Sequence, residues 1–221
     1  LSRASVYATF LVTLITAIVF WLWPDLDLAV AALFRRDNTF WGADPYARAY
    51  RFFFYWLPIV LMAIYAVAYI LKRAGKLGHA YVSGRGLVFL AVSMALGPGL
   101  LVNLGFKDHW HRPRPVQVSQ FGGPMEFRPY WRGDGACERN CSFVSGEVST
   151  AAWLIAPASL VPPPLRTPAM AAALIITVLT ALGRFAFGGH FLSDALFAAL
   201  FTISLVQLLY RAIVARAPSK P

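Results

Sequence analysis

The sequence predicts an all-α integral membrane protein, a six-transmembrane-helix bundle, and three observations carry that prediction. Hydrophobic residues make up 58% of the 221 and charged residues only 14%, where a soluble domain carries about a quarter of its residues as charge. Several apolar stretches reach or approach the ~20 residues that ~30 Å of hydrocarbon demands. Charge is confined to short segments between those stretches. One domain, residues 1–221, takes up nearly the whole chain and leaves no room for a separate soluble domain.

The first span is expected over Ser5–Trp23. Arg3 precedes it and no convincing small-residue cleavage site follows Trp23, so it reads as a retained span rather than a signal peptide. Between it and the second span, Phe52–Leu71, lies Pro24–Arg51, which interleaves Asp25, Asp27, Arg35, Arg36 and Asp37 with Phe40, Trp41, Tyr46 and Tyr50. That mixture suits a helix or loop at the membrane interface, either as an anchor or as a shaper of lipid entry. The third span covers about Gly86–Phe106, the fourth Val144–Val161, the fifth Pro168–Leu182 and the sixth Phe191–Tyr210. Gly, Ser and Pro lower the hydropathy of the fourth and fifth, though small residues also suit close helix packing. Pro162-Pro163-Pro164 is expected as a stiff turn between them.

Charge sets the orientation. With the N-terminus inside, the inner segments hold Arg3, Lys72, Arg73, Lys76, Arg85, Arg166, Arg211, Arg216 and Lys220, and no acidic residue. All ten Asp and Glu fall on the other side or at its helix ends. The Lys/Arg count alone is less decisive, because the long segment after span three is itself cationic. Both termini are therefore expected in the cytoplasm. The net charge of +10 does not indicate nucleic acid: there is no soluble basic face, and half the cations serve as anchors beside anionic lipid. The expected partner is the bilayer and a lipid within it, with no obligate protein partner indicated.

Cys137 and Cys141 share the long outer segment. A non-cytoplasmic compartment permits a disulfide between them, and free thiols are the alternative. Two thiols without a nearby His or second Cys pair fall short of a zinc set.

Three polar clusters sit at span ends. Lys107-Asp108-His109-Trp110-His111-Arg112-Pro113-Arg114-Pro115 follows span three. Its prolines stop the helix and stiffen the chain, while Lys107 offers a point charge and Arg114 a planar fork to phosphate. An ordinary interfacial cation patch is the plainer reading. His109 and His111 are candidate headgroup contacts. Next, Asn140-Cys141-Ser142-Phe143-Val144-Ser145-Gly146-Glu147 opens span four. Small residues at a helix start expose N–H groups to an anion, with Ser145 adding a hydroxyl and Gly146 close approach; plain helix capping explains the same residues. Finally, in the segment Arg184–Asp194, His190 and Asp194 are four apart on one helix face. A carboxylate on one ring nitrogen would fix the tautomer and leave the other nitrogen to attack.

Together these clusters resemble the type 2 phosphatidic acid phosphatase superfamily, membrane lipid phosphatases related in core to vanadium haloperoxidases. Its first signature, Lys, six residues, Arg-Pro, is matched by Lys107, Arg114 and Pro115. Its third is matched by Arg184, His190 and Asp194, with Gly183 in place of the usual serine. Its second, Pro-Ser-Gly-His, stands here as Val144-Ser145-Gly146-Glu147. The resemblance implies hydrolysis of a phosphomonoester in two steps, without cofactor or metal. His190 would be the nucleophile, Asp194 would position its imidazole, and Lys107, Arg114, Arg184, Ser145 and Gly146 would bind the phosphoryl group.

Glu147 departs from the pattern, since the histidine expected there acts as an acid toward the leaving group. A glutamic acid ordinarily ionises near pH 4, so three roles stay open: acid or base, a binding or structural group, or an engineered disabling change. The segment Phe121-Gly122-Gly123-Pro124 through Cys137–Phe143 looks most like bacterial lipid A phosphatases, nearer the 4'-phosphatase branch. Arg128, Arg132 and Arg139 would suit a second phosphate on a large glycolipid, or simple loop solubility. Phosphatidylglycerol phosphate and undecaprenyl diphosphate are the rival substrates, at a site facing the periplasm from the bacterial inner membrane. A non-catalytic lipid binder or transporter is the rival class.

Overall fold

The computed structural model describes residues 1–43, 45–78, 82–107 and 109–215; Asp108 and the expected inner cations Arg216 and Lys220 lie outside them. Helix α1, Arg3–Leu22, starts where the Ser2 hydroxyl accepts the Ser5 N–H at 3.0 Å. A short α2, Leu26–Ala32, and a tight antiparallel hairpin, β1 Arg35–Arg36 with β2 Thr39–Phe40, fill the segment expected at the interface. Asp37 and Asn38, at φ +50° and +64°, make its two-residue turn, a conformation these residue types tolerate. Helix α3, Pro45–Arg73, carries span two. Helix α4, Gly84–Met94, is capped by Ser83 and continues to Phe106 as a wider π-type helix around Pro98, which has no N–H to give.

Among the described residues five helical segments are long and apolar enough to cross a membrane: Arg3–Leu22, Arg48–Arg73, Gly84–Val102, Pro163–Ala186 and Leu192–Val214. The expected fourth span is not a sixth such helix. It folds as two short pieces, α5 Gly146–Ala152 and α6 Ile155–Leu160. Pro157 is the physical reason: it cannot donate to the Trp153 carbonyl one turn back, and its ring crowds that carbonyl. Ala156 N–H takes the carbonyl instead at 2.8 Å, and the helix breaks there. The Trp153 side chain is fully buried at the break, with Nε1 donating to Ser93 Oγ of α4 at 2.8 Å. The proline turn is also shorter than expected. Only Pro162 stays outside α7, Pro163–Ala186, whose first turn holds Pro163 and Pro164, where a missing N–H costs nothing.

Helix α8, Leu192–Leu209, runs on to Val214 and packs on α1, α5 and α7. The broken pair α5–α6 lies inside this ring: Val148, Ala151, Ala152, Leu154, Ile155 and Ala156 are buried. By contrast α1 and α3 expose Tyr7, Phe10, Leu14, Ile18, Phe53, Ile64 and Val67. Large apolar side chains left open along membrane-spanning helices suit contact with acyl chains.

Candidate active site

One pocket of about 270 Å³ opens at the end of the bundle where α3 and α5 begin and where α7 ends. It is lined by Arg51, Tyr55, Lys107, Arg114, Asn140, Gly146, Glu147, Thr150, Arg184 and His190. All three polar clusters therefore meet in one place. Among the described residues, four cations face a single carboxylate there, an arrangement that suits a phosphate dianion.

His190 sits just before α8 and is 3% exposed. Its Nδ1 lies 2.7 Å from the Ser142 carbonyl oxygen. A carbonyl can only accept, so Nδ1 carries the proton and Nε2 keeps its lone pair. Burial, reinforced by Arg184, Arg114 and Lys107, holds the imidazole well below its ordinary value of 6.5, against the pull of the Ser142 carbonyl. The ring is neutral at physiological pH. The sign of the coupling follows: as pH falls below 6.5 the unfolded chain takes up a proton that the folded chain refuses, so stability drops through that window. We expect nitrogen NMR of His190 at pH 5.5 to show the neutral, Nδ1-protonated tautomer, where an unperturbed histidine would be about nine-tenths protonated.

The direct Asp194–imidazole bond expected from the sequence is not the one formed. Asp194 Oδ2 stands 3.9 Å from His190 Nδ1, outside hydrogen-bond range. It accepts instead from Ser142 Oγ at 2.5 Å and from the Phe191 N–H at 2.8 Å, while its Oδ1 accepts from Arg112 Nη1 at 2.5 Å. Asp194 thus holds Ser142, and Ser142's carbonyl holds the imidazole. Beneath this lies a buried network that the sequence did not reveal. Arg112 is fully buried; its Nη2 reaches Asp27 Oδ2 of α2 at 2.7 Å, Nη1 reaches Ser193 Oγ, and Nε donates to the Arg128 carbonyl. Asp27 also accepts from the Ser193 N–H and hydroxyl. Arg112 therefore pairs with both buried carboxylates at once.

The cations are held individually. Arg114 donates from Nε and Nη2 to the Asn140 carbonyl at 3.0 and 2.7 Å, and from Nη2 to Asn140 Oδ1. Asn140 adopts φ +51° to present both oxygens. Arg184 is 5% exposed; its Nε is buried without a hydrogen-bond partner, a donor left for an anion, while its Nη1 faces the Glu147 carboxylate. Gly189 makes room for it: a Cβ there would lie 2.3 Å from Arg184 Nη2. Gly183 is explained likewise, since a side chain would meet the Tyr50 ring at 2.7 Å.

Glu147 is gripped from two sides. It accepts from Arg51 Nη2 at 2.6 Å and Nε at 2.9 Å, and lies 3.3 Å from Arg184 Nη1. Arg51 belongs to none of the three clusters; nothing in its local sequence marked it. Ser145, expected on the phosphate, is fully buried and does not line the pocket; its hydroxyl caps α5 by accepting the Val148 N–H.

The expected headgroup contacts lie elsewhere. His111, at φ +52°, has Nδ1 2.8 Å from the Cys137 carbonyl. Cys137 and Cys141 are joined as a disulfide, with Cα atoms 5.8 Å apart. Arg128 and Arg132 pair with Glu126 and Asp134 in their own loop; Arg132 pulls the Asp134 carboxyl down to about 2. Neither these two, nor the exposed His109 and Arg139, line the pocket.

A bundle with lipid-facing flanks, and a neutral imidazole set among fixed cations at one end, defines a class: membrane enzymes that act on phosphoryl groups. Residues 86–218 match the PAP2 superfamily. The chain belongs to that family, and it is a phosphomonoester hydrolase acting on a membrane lipid. It is 33% identical over 197 residues to a lipid A 4'-phosphatase of Francisella tularensis subsp. novicida, covering 87% of this chain and 88% of that protein. It is 36% identical over 183 residues to a lipid A 4'-phosphatase of Rhizobium etli, covering 80% and 69%. A Rhizobium leguminosarum enzyme of the same name is 45% identical over 102 residues, covering 46% and 44%. No solved structure is a significant match.

Proposed function

We propose that this protein removes the 4'-phosphate of lipid A at the periplasmic face of the bacterial inner membrane, through a phosphohistidine on His190. One observation carries the reaction: an uncharged, oriented imidazole lining a pocket with four cations. Similarity to three lipid A 4'-phosphatases supports the substrate.

In the first step His190 Nε2 attacks phosphorus. The bond to the sugar oxygen breaks as the P–N bond forms, and the departing alkoxide takes a proton from solvent. Lys107, Arg114 and Arg184, joined by Arg51 and the Gly146 backbone, meet the charge on the phosphoryl oxygens. Fixed charge in a partly dry site needs no reorganisation at the moment of reaction. These protein cations do the work that a metal does elsewhere. In the second step water attacks phosphorus, the P–N bond breaks, and phosphate leaves. Glu147, an ion-paired carboxylate facing the pocket, is suited to accept the proton of that water rather than to supply one to the leaving group. Asp194 is a positioning residue that works through Ser142.

The orientation belongs to the same proposal. Acid-free inner segments support cytoplasmic termini. The buried pair α5–α6 then completes a sixth crossing, shielded from lipid by its neighbours, where a broken helix is tolerated.

Rapid quenching with lipid A labelled in its phosphate tests the reaction. The wild type should yield an acid-labile phosphoenzyme. Glu147→Gln should accumulate it while turnover falls roughly 10²–10⁴-fold, the usual scale for a lost acid or base. Near-normal turnover in that variant would remove Glu147 from proton transfer.

A further inference from the structure

A second cavity, of about 480 Å³, adjoins the catalytic pocket. It is lined by Arg48, Arg51, Phe52, Tyr55 and Trp56, and it shares Arg51 and Tyr55 with the first. The five residues fall at i, i+3, i+4, i+7 and i+8 of α3, which is one stripe of one helix face. Its aromatic residues are largely open, with Phe52 67%, Tyr55 47% and Trp56 44% exposed, while Arg51 turns inward to Glu147. Tyr55 and Trp56 meet edge to face with centroids 5.5 Å apart, and Phe52 lies tilted against Trp56 at 6.1 Å. A stripe serving only acyl chains has no use for two arginines. An anchoring belt explains the aromatics and one arginine at the headgroup level, but not a cavity that shares Arg51 and Tyr55 with the phosphate site.

We propose that this cavity is a specificity site for the sugar that bears the scissile phosphate. Trp56 and Tyr55 offer ring faces to the apolar face of a pyranose, and Arg48 takes a further anionic group on the same glycolipid. Arg51 sits at the seam, its guanidinium tied to Glu147 on the catalytic side. The proposal rests on the glycolipid reading of the substrate, but a binding measurement separates the two.

In a His190→Gln background, which prevents turnover, calorimetric titration of the detergent-solubilised protein would compare deacylated phosphoglucosamine disaccharide with glycerol 3-phosphate. The sugar phosphate should bind about tenfold more tightly, the scale of one good aromatic contact together with a partly exposed charge. Arg48→Ala combined with Trp56→Leu should abolish that margin and leave glycerol 3-phosphate binding unchanged, which also reports an intact fold. Equal binding of the two ligands before substitution would overturn the proposal, and so would a sugar margin that survives the double substitution. Failure of the lipid A reading registers elsewhere, as absent lipid A turnover by the enzyme with His190 intact.

Discussion

His190→Ala should lose turnover by roughly 10⁴-fold or more, the scale seen when a nucleophile that works with its neighbours is removed, while phosphate still binds. The expectation follows from geometry. His190 is the imidazole lining the pocket, and its Nδ1 is committed to the Ser142 carbonyl. Lys107, Arg114, Arg184 and Arg51 are held by other partners or by burial, so the anion site should outlast the ring. Loss of the ring also leaves the buried Ser142 carbonyl without its donor, at a cost of about 1–3 kcal/mol. Phosphate affinity measured beside steady-state turnover separates the two effects. Equal loss of both would mean that the pocket collapsed rather than that the nucleophile was removed.

Arg112→Leu should be the most destabilising single change in the site. Removing one partner of a buried ion pair costs about 3–5 kcal/mol, because the other charge is left uncompensated. Here two carboxylates, Asp27 and Asp194, would be left facing each other at 1% and 0% exposure. Arg112→Lys should recover little, since a single ammonium cannot reach both carboxylates and the Arg128 carbonyl as the guanidinium does. Thermal unfolding in detergent checks the effect. Adding Asp27→Asn to Arg112→Leu should restore part of the lost stability by removing one stranded charge.

The legible part of the site was the part written in short spacings. Lys107 and Arg114 belong to one segment, and Arg184, His190 and Asp194 to another, so a local pattern was enough to find them. Arg51 and Asp27 were not legible because their partners are far away in the chain: Arg51 meets Glu147 across 96 residues, and Asp27 meets Ser193 across 166. Arg112 lay within an identified cluster yet passed for one more interfacial cation, since sequence does not show burial. The four-residue spacing of His190 and Asp194 predicts one helix face, but α8 begins at Leu192 and His190 lies in the segment just before it. The Ser142 carbonyl intervenes because the loop before α5 folds back beneath His190, and no periodicity encodes that. Five of the expected spans correspond to long helices. The fourth does not, because Pro157 divides a stretch that apolar content alone predicts to be continuous.

Which phosphate is released, and from which lipid, is the most direct test of the proposed reaction. Purified protein should be given lipid A, phosphatidylglycerol phosphate and undecaprenyl diphosphate side by side in mixed micelles, with the products followed by mass spectrometry. Lipid A should be turned over fastest, with loss of a single phosphate whose fragment ions place it at the 4' position of the distal sugar. Preference for the glycerol or polyprenyl substrate, or loss of the phosphate at position 1, would contradict it.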